Sequence, residues 1–204
     1  MGLLNLHTHS SYSDGADSIL DLACAYKKSG HIALCLTDHD YIMDLEKWEK
    51  EREEATLVSK ELDFPIIVGL EAFIPNLEEV LVFGYRACQT LLATNALKDV
   101  NTFKAWFDIQ TEPFALILAH PYLWVDKPDF YKLMDGYEIT NCNLYWGDDY
   151  VERMKKLMPE PRRGYTNHDL HTIQNLSHPC NEVGEDLIIR NELDLVQYLS
   201  VDKA

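Results

Sequence analysis

The stretch Leu3-Leu4-Asn5-Leu6-His7-Thr8-His9, followed by Ser13-Asp14-Gly15, decides how the rest of this chain is interpreted. Side chains of an extended segment alternate between its two faces, so His7 and His9 point the same way, about 6–7 Å apart at the backbone. Two imidazoles at that spacing can bind one metal ion, and Asp14 adds a carboxylate at a turn. A single His-x-His pair is more often just two polar residues at a strand end. The interpretation therefore depends on the other strands.

Four later apolar or β-prone runs also end on residue types that bind metals. They are residues 33–37 before Asp38-His39-Asp40, 65–70 before Glu71, 114–119 before His120-Pro121, and 164–168 before Asp169-Leu170-His171. Helix-like sequence separates most of these runs, which predicts a parallel sheet whose carboxyl ends meet on one face. Such folds place function at that face. Five endings of this kind predict a polynuclear metal site.

Length, charge and cysteine content limit the class of protein. The 204 residues fit one domain, 1–204, with a full-size core. A formal net charge of −16 argues against a nucleic-acid-binding surface, because Lys/Arg patches hold phosphate backbones. No apolar run reaches the roughly 20 residues needed to span a bilayer, and no signal peptide opens the chain. Five cysteines without C-x-x-C spacing argue against disulfides, so we expect a cytoplasmic protein.

Hydrophobic periodicity supplies the remaining elements. We expect helices over 18–29, 41–62, 89–111 (in one or two pieces), 130–134, 149–158 and 193–199, and further strands over 80–85, 136–140 and 187–190. The strand over 80–85 follows the Glu71 strand without room for a helix. We therefore expect that pair to be antiparallel or loosely joined.

The ordered set of motifs resembles the PHP (polymerase and histidinol phosphatase) superfamily. The motifs are His7-x-His9, Ser13-Asp14-Gly15, Thr37-Asp38-His39-Asp40, Gly69-Leu70-Glu71, Ala119-His120-Pro121 and Asp169-x-His171. Each is weak alone, and their order and spacing make the match specific over nearly the whole chain. The resemblance implies an α/β fold, a distorted (β/α)7 TIM-like barrel, with up to three metal ions at the carboxyl ends of its strands. The better-known members hydrolyse phosphoesters.

The resemblance also implies a set of metal ligands. His7, His9, Glu71 and Asp169 would hold one ion, Glu71 would bridge to a second ion with His120, and Asp14, His39 and His171 would hold a third. Among these, Glu71, Asp14 and Asp169 are the expected catalytic residues. The mixed imidazole and carboxylate set suits two or three divalent ions of zinc, manganese or iron. Such ions acidify a bridging water and bind phosphoryl oxygens, so no protein nucleophile is needed.

Two positions depart from the family pattern. Many phosphatase members carry a further His near the position of Leu81, whose side chain cannot bind a metal, so we expect the second ion to be held weakly. Many members also carry an Arg after Ala-His-Pro, where this chain has Tyr122-Leu123-Trp124. Lys127 and Arg163 are cations that could replace that charge.

Other candidates surround the motifs. We expect the carboxylates of Asp38 and Asp40 to flank His39 and to orient its imidazole toward the metal without binding the ion themselves. His168 alternates away from Asp169, so we expect it to lie behind the site.

Some histidines and cysteines have no partner pattern. We expect His31 and His178 at the surface, and Cys24 and Cys35 as buried small hydrophobes. Cys142 follows a predicted strand and could face the site.

Three functions are consistent with the sequence. The leading hypothesis is a metal-dependent phosphoesterase that acts on a small phosphorylated metabolite, with neither nucleic acid nor membrane as partner. A nuclease or phosphodiesterase is the second, and a basic groove would favour it. The third is a non-catalytic metal-binding protein, which Leu81 and the missing loop Arg favour.

Overall fold

The computed structural model describes residues 1–75, 77–94, 99–121, 128–140, 148–158, 160–176 and 180–200. The strands are β1 (Gly2–Leu4), β2 (Leu34–Leu36), β3 (Ile66–Val68), β4 (Leu70–Phe73), β5 (Glu79–Phe83), β6 (Ala115–Ala119), β7 (Gly136–Thr140), β8 (Arg163–Thr166) and β9 (Asn181–Val183). The helices are α1 (Ile19–Lys28), α2 (Leu45–Leu62), α3 (Tyr85–Thr94), α4 (Val100–Asp108), α5 (Pro128–Tyr131), α6 (Asp148–Leu157) and α7 (Glu192–Leu199). The fold is mixed α/β, and in the described ranges none of these helices is long and apolar enough to cross a membrane.

Several sequence-based expectations fall outside the described residues. They concern Tyr122-Leu123-Trp124, Lys127, Cys142 and His178.

The strands form three sheets: an antiparallel pair β1–β9, a parallel pair β2–β3, and a five-stranded sheet in the order β4-β5-β6-β7-β8. The pairs β6–β7 and β7–β8 are parallel, as expected. Strand β5 runs antiparallel to both β4 and β6, which confirms the expectation for the 80–85 strand. The prediction that the strands are all parallel is therefore wrong at β5 and at the pair β1–β9. The amino end of β5 lies beside the carboxyl ends of its two neighbours, because Glu79 pairs with Phe73 and with Ala119.

Backbone contacts continue from one sheet to the next beyond the strand ends. The hydrogen bonds run from Thr37 N–H to Thr8 O (2.9 Å), from Gly69 N–H to Leu36 O (2.8 Å), from Glu71 N–H to Asp38 O (3.1 Å) and from His9 N–H to Leu170 O (2.8 Å). These bonds hold the segments after β1, β2, β3 and β8 side by side. The predicted ligand positions lie on those segments.

Strand side chains alternate between two apolar clusters. Leu81 and Ile117 pack in one cluster, while Val80 and Leu116 pack in the other with helix residues such as Trp48. Both faces of the strands are therefore buried, which explains why the strands are continuous apolar runs in the sequence.

Helix α1 agrees with its prediction, since Ser18 caps it by accepting a hydrogen bond from Asp21 N–H and Gly30 follows with φ +87°. Helix α2 begins later than expected, because Asp44 caps it and residues Asp40–Ile42 form a separate 3₁₀ turn. That turn places Tyr41 beside His39.

The strand predicted near the end of the chain is misplaced. Residues 187–190 are not a strand, and β9 lies earlier, where Asn181–Val183 pairs with β1. Cys35 is buried as expected, but Cys24 is exposed on α1, so its predicted burial is wrong.

Candidate metal centre

The structure brings all eight sequence-predicted ligand residues together. Their donor atoms, with those of one additional residue, form four groups within which all atoms lie no more than 4.8 Å apart: His7, His9 and Asp169; His7, Glu71 and His120; His9, Asp14, His39 and His171; and His39, Glu71 and Glu79. Shared members link the groups into one cluster of imidazoles and carboxylates.

Glu71 lies at the centre of the cluster and is fully buried. Its Oε1 atom lies 3.1 Å from His7 Nε2 and 2.9 Å from His120 Nε2, while its Oε2 atom lies 2.9 Å from His39 Nδ1 and 3.4 Å from His9 Nε2. The two oxygens of one carboxylate therefore face different sets of imidazoles. This arrangement suits a carboxylate shared between two ions.

The His-x-His motif behaves as the strand alternation predicts. The Nε2 atoms of His7 and His9 lie 3.1 Å apart, and Asp169 Oδ1 lies 3.3 Å from the first and 3.2 Å from the second. Donor atoms that share an ion at about 2.0–2.2 Å are themselves about 3 Å apart. These three side chains have that spacing.

Asp14 lies on the more open side of the cluster. Its carboxylate lies 3.5 Å from His39 Nε2, 3.4 Å from His171 Nε2 and 3.7 Å from His9 Nδ1. Gly15 permits this position, because a Cβ there would lie 2.3 Å from the backbone oxygen of His9. The Asp-Gly turn therefore packs directly on the His-x-His segment.

The carboxylates and imidazoles of the cluster shift one another's pKa values. Burial alone would raise the pKa of Glu71, but His7, His120 and His39 lower that pKa well below its usual value. Burial disfavours the charged form of His120, yet contact with Glu71 outweighs it and raises the pKa of His120 to about 9. Burial likewise opposes the charged form of His7, and the carboxylates Glu71, Glu138 and Asp169 raise its pKa well above the usual value. The cluster thus favours bound positive charge.

The donor set fits divalent metal ions. The buried atoms His39 Nδ1 and Glu71 Oε2 form no hydrogen bond with the described residues, although they lie 2.9 Å apart. A nitrogen and an oxygen at this distance, with no hydrogen bond of good geometry between them, have the spacing of two ligands of one ion. Imidazole nitrogen and carboxylate oxygen are donors that zinc, manganese and iron accept.

Glu79 is the member of the cluster that sequence reasoning missed. It is the first residue of β5, and its Oε2 atom lies 3.4 Å from His120 Nε2. Burial, followed by the nearby Glu71 charge, raises the pKa of Glu79. Leu81, two residues further along β5, packs in the apolar cluster away from the donor atoms. The signal was available, because a strand that returns without a crossover helix brings its start to this face.

Two site residues have unusual backbone conformations. His120 has φ +22° and Asp169 has φ +50°, in the region that residues other than glycine rarely adopt. Such conformations persist where the surroundings enforce them, often at functional sites. Here both residues follow a strand and direct a side chain toward the cluster.

The expected roles of Asp38 and Asp40 are wrong. The two ring nitrogens of His39 face Glu71 and Asp14 instead. Asp38 accepts hydrogen bonds from Ser10 N–H (2.9 Å), Ser10 Oγ (2.8 Å) and Ser13 Oγ, so it fixes the turn that carries Asp14. Asp40 accepts a hydrogen bond from Phe73 N–H (2.9 Å).

The remaining histidine and cation predictions have mixed outcomes. His168 is fully buried beside His31, 6.1 Å between ring centroids, and outside all four groups. His31 is buried against Tyr26 and Ser29, so its predicted surface position is wrong. Arg163 starts β8, at the opposite end of that strand from Asp169, and lies over the ring of Tyr198. It therefore does not replace the missing loop Arg.

The chain belongs to the PHP domain family. The family match spans residues 5–122, more than half of the chain, and includes every predicted ligand except Asp169 and His171. A comparison with curated protein sequences finds no significant match.

Solved structures of similar fold cover almost the whole chain. PsfC from Pseudomonas syringae PB-5123 is 16% identical, with a TM-score of 0.63 over 96% of this chain and 87% of that one. A protein assigned as a metal-dependent phosphoesterase, from Bifidobacterium adolescentis, is 15% identical, with a TM-score of 0.59 over 97% and 96%. An amidohydrolase from Chromobacterium violaceum, with bound sulfate and no metal, is 14% identical, with a TM-score of 0.56 over 98% of both chains. At these identities the likeness concerns the fold.

Proposed function

We propose that this protein is a metal-dependent phosphoesterase that hydrolyses a small phosphorylated metabolite, with a metal-activated water as the nucleophile. The observation that carries the proposal is the position of Glu71. It is fully buried, and its two oxygens face different imidazoles at 2.9–3.1 Å. A carboxylate in that position supports a centre of two or more ions, which is the type of centre that catalyses displacement at phosphorus.

Each group of donors would hold one part of the centre. His7, His9 and Asp169 would hold one ion with Glu71, and His120, with Glu79 Oε2 3.4 Å away, would hold a second ion with Glu71. Asp14, His39 and His171 would hold a third. Divalent ions bound here would acidify a water and polarise a phosphoryl oxygen. The chain itself would orient these donors, keep solvent from the buried face of Glu71, and leave access on the side of Asp14 and His171, which are 43% and 35% exposed.

We also infer that the strands form the distorted (β/α)7 barrel that the family resemblance implies. Support comes from the hydrogen bonds that continue from sheet to sheet. The bond from His9 N–H to Leu170 O joins the segment after β1 to the segment after β8, as closure of a barrel requires. The apolar cluster with Leu81 and Ile117 would be the barrel interior, and the donors would lie at its mouth.

The substrate would be small. The net charge of −16 disfavours a nucleic-acid track, which argues against a nuclease. Tyr41 is 61% exposed, and its ring centroid lies 4.7 Å from that of His39, so an apolar or planar substituent could pack beside the site. A phosphomonoester of a small metabolite fits an opening of this kind.

One feature favours a non-catalytic metal-binding protein instead. Many family members carry an Arg after Ala-His-Pro, and this chain does not. Arg163 cannot replace it, because Arg163 lies at the far end of β8. A single assay separates the two functions. After loading with manganese, zinc or iron, the phosphoesterase should release phosphate from an aryl phosphate, and a metal-binding protein should bind the ions without turnover.

A further inference from the structure

Glu138 lies outside the four donor groups but touches two of their members. It is on β7 and fully buried. Its Oε1 atom lies 2.9 Å from His7 Nδ1 and 2.8 Å from Asn167 Nδ2, and its Oε2 atom lies 2.7 Å from His120 N. One carboxylate thus joins the segments that follow β1, β6 and β8.

We propose that Glu138 is a positioning residue that fixes the ring tautomer of His7 and the backbone of His120, and so preforms the metal centre. This inference rests on the metal centre in the proposed function. It adds a residue that binds no ion itself and sets the geometry of two residues that would.

The tautomer of His7 follows from its two neighbours. A carboxylate oxygen only accepts hydrogen bonds, so the ring nitrogen that faces Glu138, Nδ1, carries a proton. The Nε2 atom is directed at Glu71 Oε1 (3.1 Å) and Asp169 Oδ1 (3.3 Å), so an ion bound among these atoms would take the Nε2 lone pair while Nδ1 keeps its proton on Glu138. Metal-binding histidines commonly donate their other N–H to a carboxylate in this way.

The backbone of His120 is the second target. Its φ of +22° is costly for a residue with a Cβ. Glu138 Oε2 accepts the hydrogen bond from its N–H, at 2.7 Å. That bond is charge-assisted, and it ties the residue to the strand next to its own.

The orientation of the Asn167 amide requires a hydrogen-bond acceptor at position 138. Asn167 Oδ1 accepts the Leu6 N–H at 3.1 Å, so its Nδ2 must donate to Glu138. Two carboxylate oxygens therefore accept three donors: His7 Nδ1–H, Asn167 Nδ2–H and His120 N–H.

A glutamine at this position has one acceptor and one donor group. If its oxygen faces His7, its NH₂ opposes the His120 N–H. If its oxygen faces His120, its NH₂ opposes Asn167, and His7 must move its proton to Nε2, the atom that would bind the ion. Glu138→Gln therefore disturbs one ligand or the other at almost constant volume.

The test compares Glu138→Gln with Asp135→Asn. Asp135 is also a fully buried carboxylate, immediately before β7, and it accepts the Leu116 N–H at 2.8 Å, outside the donor groups. Zinc affinity is measured by competition with a chromophoric chelator. The protonated nitrogen of His7 is identified by ¹⁵N NMR of the wild type, with and without zinc, and folding is checked by circular dichroism.

We expect Glu138→Gln to bind zinc about ten- to a hundredfold more weakly, and Asp135→Asn to bind it like the wild type. We also expect wild-type His7 to carry its proton on Nδ1. Wild-type affinity in Glu138→Gln, an equal loss in Asp135→Asn, or a wild-type His7 protonated only on Nε2 would overturn the role of Glu138. The NMR result remains decisive if the variant does not fold. Failure of the wild type to bind zinc, manganese or iron would instead overturn the proposed function, and the role of Glu138 with it.

Discussion

Glu79 Oε2 lies 3.4 Å from His120 Nε2, across the antiparallel pair β5–β6. Glu79 opens β5, whereas His120 follows the last residue of β6. The two residues are neighbours at the site only because β5 runs opposite to β6. Glu79 therefore brings a carboxylate to the cluster from β5. The resemblance to the PHP superfamily led us to expect an imidazole two residues later on this strand, where the chain has Leu81.

This contact predicts a role for Glu79 in binding one ion. We expect Glu79→Gln to weaken one metal equivalent by about tenfold or more, since an amide is a poorer ligand than a carboxylate for a divalent ion. Titration of the metal-free protein, with bound metal measured after gel filtration, gives the number of tight equivalents. Glu182→Gln, on β9 outside the donor groups, is the control. An unchanged titration of Glu79→Gln would show that Glu79 does not bind the ion, and that the expected weak second site depends on Leu81 alone.

Gly15 should be intolerant of a side chain. A Cβ would meet the His9 carbonyl oxygen at 2.3 Å and its carbon at 2.5 Å, both backbone atoms that cannot rotate away. We expect Gly15→Ala to displace Asp14, to remove one metal equivalent, and to lower the free energy of unfolding by about 1–3 kcal/mol. In Gly184→Ala the nearest atom belongs to the side chain of Asp186, which can move, so this variant should bind metal normally. Full metal binding by Gly15→Ala would contradict the close packing of this turn.

Metal binding should release protons. The pKa of His120 is raised to about 9, so at pH 7.5 the metal-free protein carries a proton on that ring, and an ion must displace it. We therefore expect zinc affinity to fall as pH is lowered from 9 to 6. Calorimetric titration in two buffers of different ionisation enthalpy counts the protons released. A heat of binding that is independent of the buffer would show that these imidazoles are neutral before the ion binds.

His31 should make folding sensitive to acid. Burial, followed by the nearby charge of His168, lowers the pKa of His31 to about 4, below its usual value of about 6.5. Between these values the unfolded chain binds the additional proton, so stability is complete above about pH 6.5 and is lost as the pH falls toward 4. The loss should approach about 2–3 kcal/mol.

Denaturant unfolding of metal-free wild type and His31→Gln at pH 7.5 and 4.5 checks this. The stability of the variant should change less between the two pH values, since other groups contribute equally to both proteins. Equal pH dependence would mean that His31 is not buried as a neutral ring.

The sequence predicts which residues meet in most of the candidate cluster, because these residues follow strands and the alternation of strand side chains is a local property. His7 and His9 needed only that rule. Glu79 was missed because the same rule looks for ligands after a strand, whereas the reversal of β5 brings the residue before it. Glu138 was missed because its neighbours Asn167, His7 and His120 come from three distant segments. His31 looked like a surface residue for the same reason, since Tyr26 and His168 surround it only in the fold.

In the proposed function, Glu71 organises a metal centre that hydrolyses phosphoesters. A carboxylate can offer one oxygen to each of two ions, and an amide does this poorly, so Glu71→Gln should loosen the shared site at nearly constant volume. The expected loss of transition-state stabilisation is several kcal/mol, and each ~1.4 kcal/mol is tenfold in rate. The fold should survive, because the apolar clusters are unchanged.

The most direct measurement is hydrolysis of an aryl phosphate by wild type and Glu71→Gln after loading with manganese, zinc or iron, with circular dichroism to verify folding. We expect metal-activated turnover in the wild type and a decrease of at least about a hundredfold in the variant. Equal activity in the two proteins would remove Glu71 from the mechanism. No activity in either protein with any of the metals would contradict the phosphoesterase and favour a metal-binding protein without turnover.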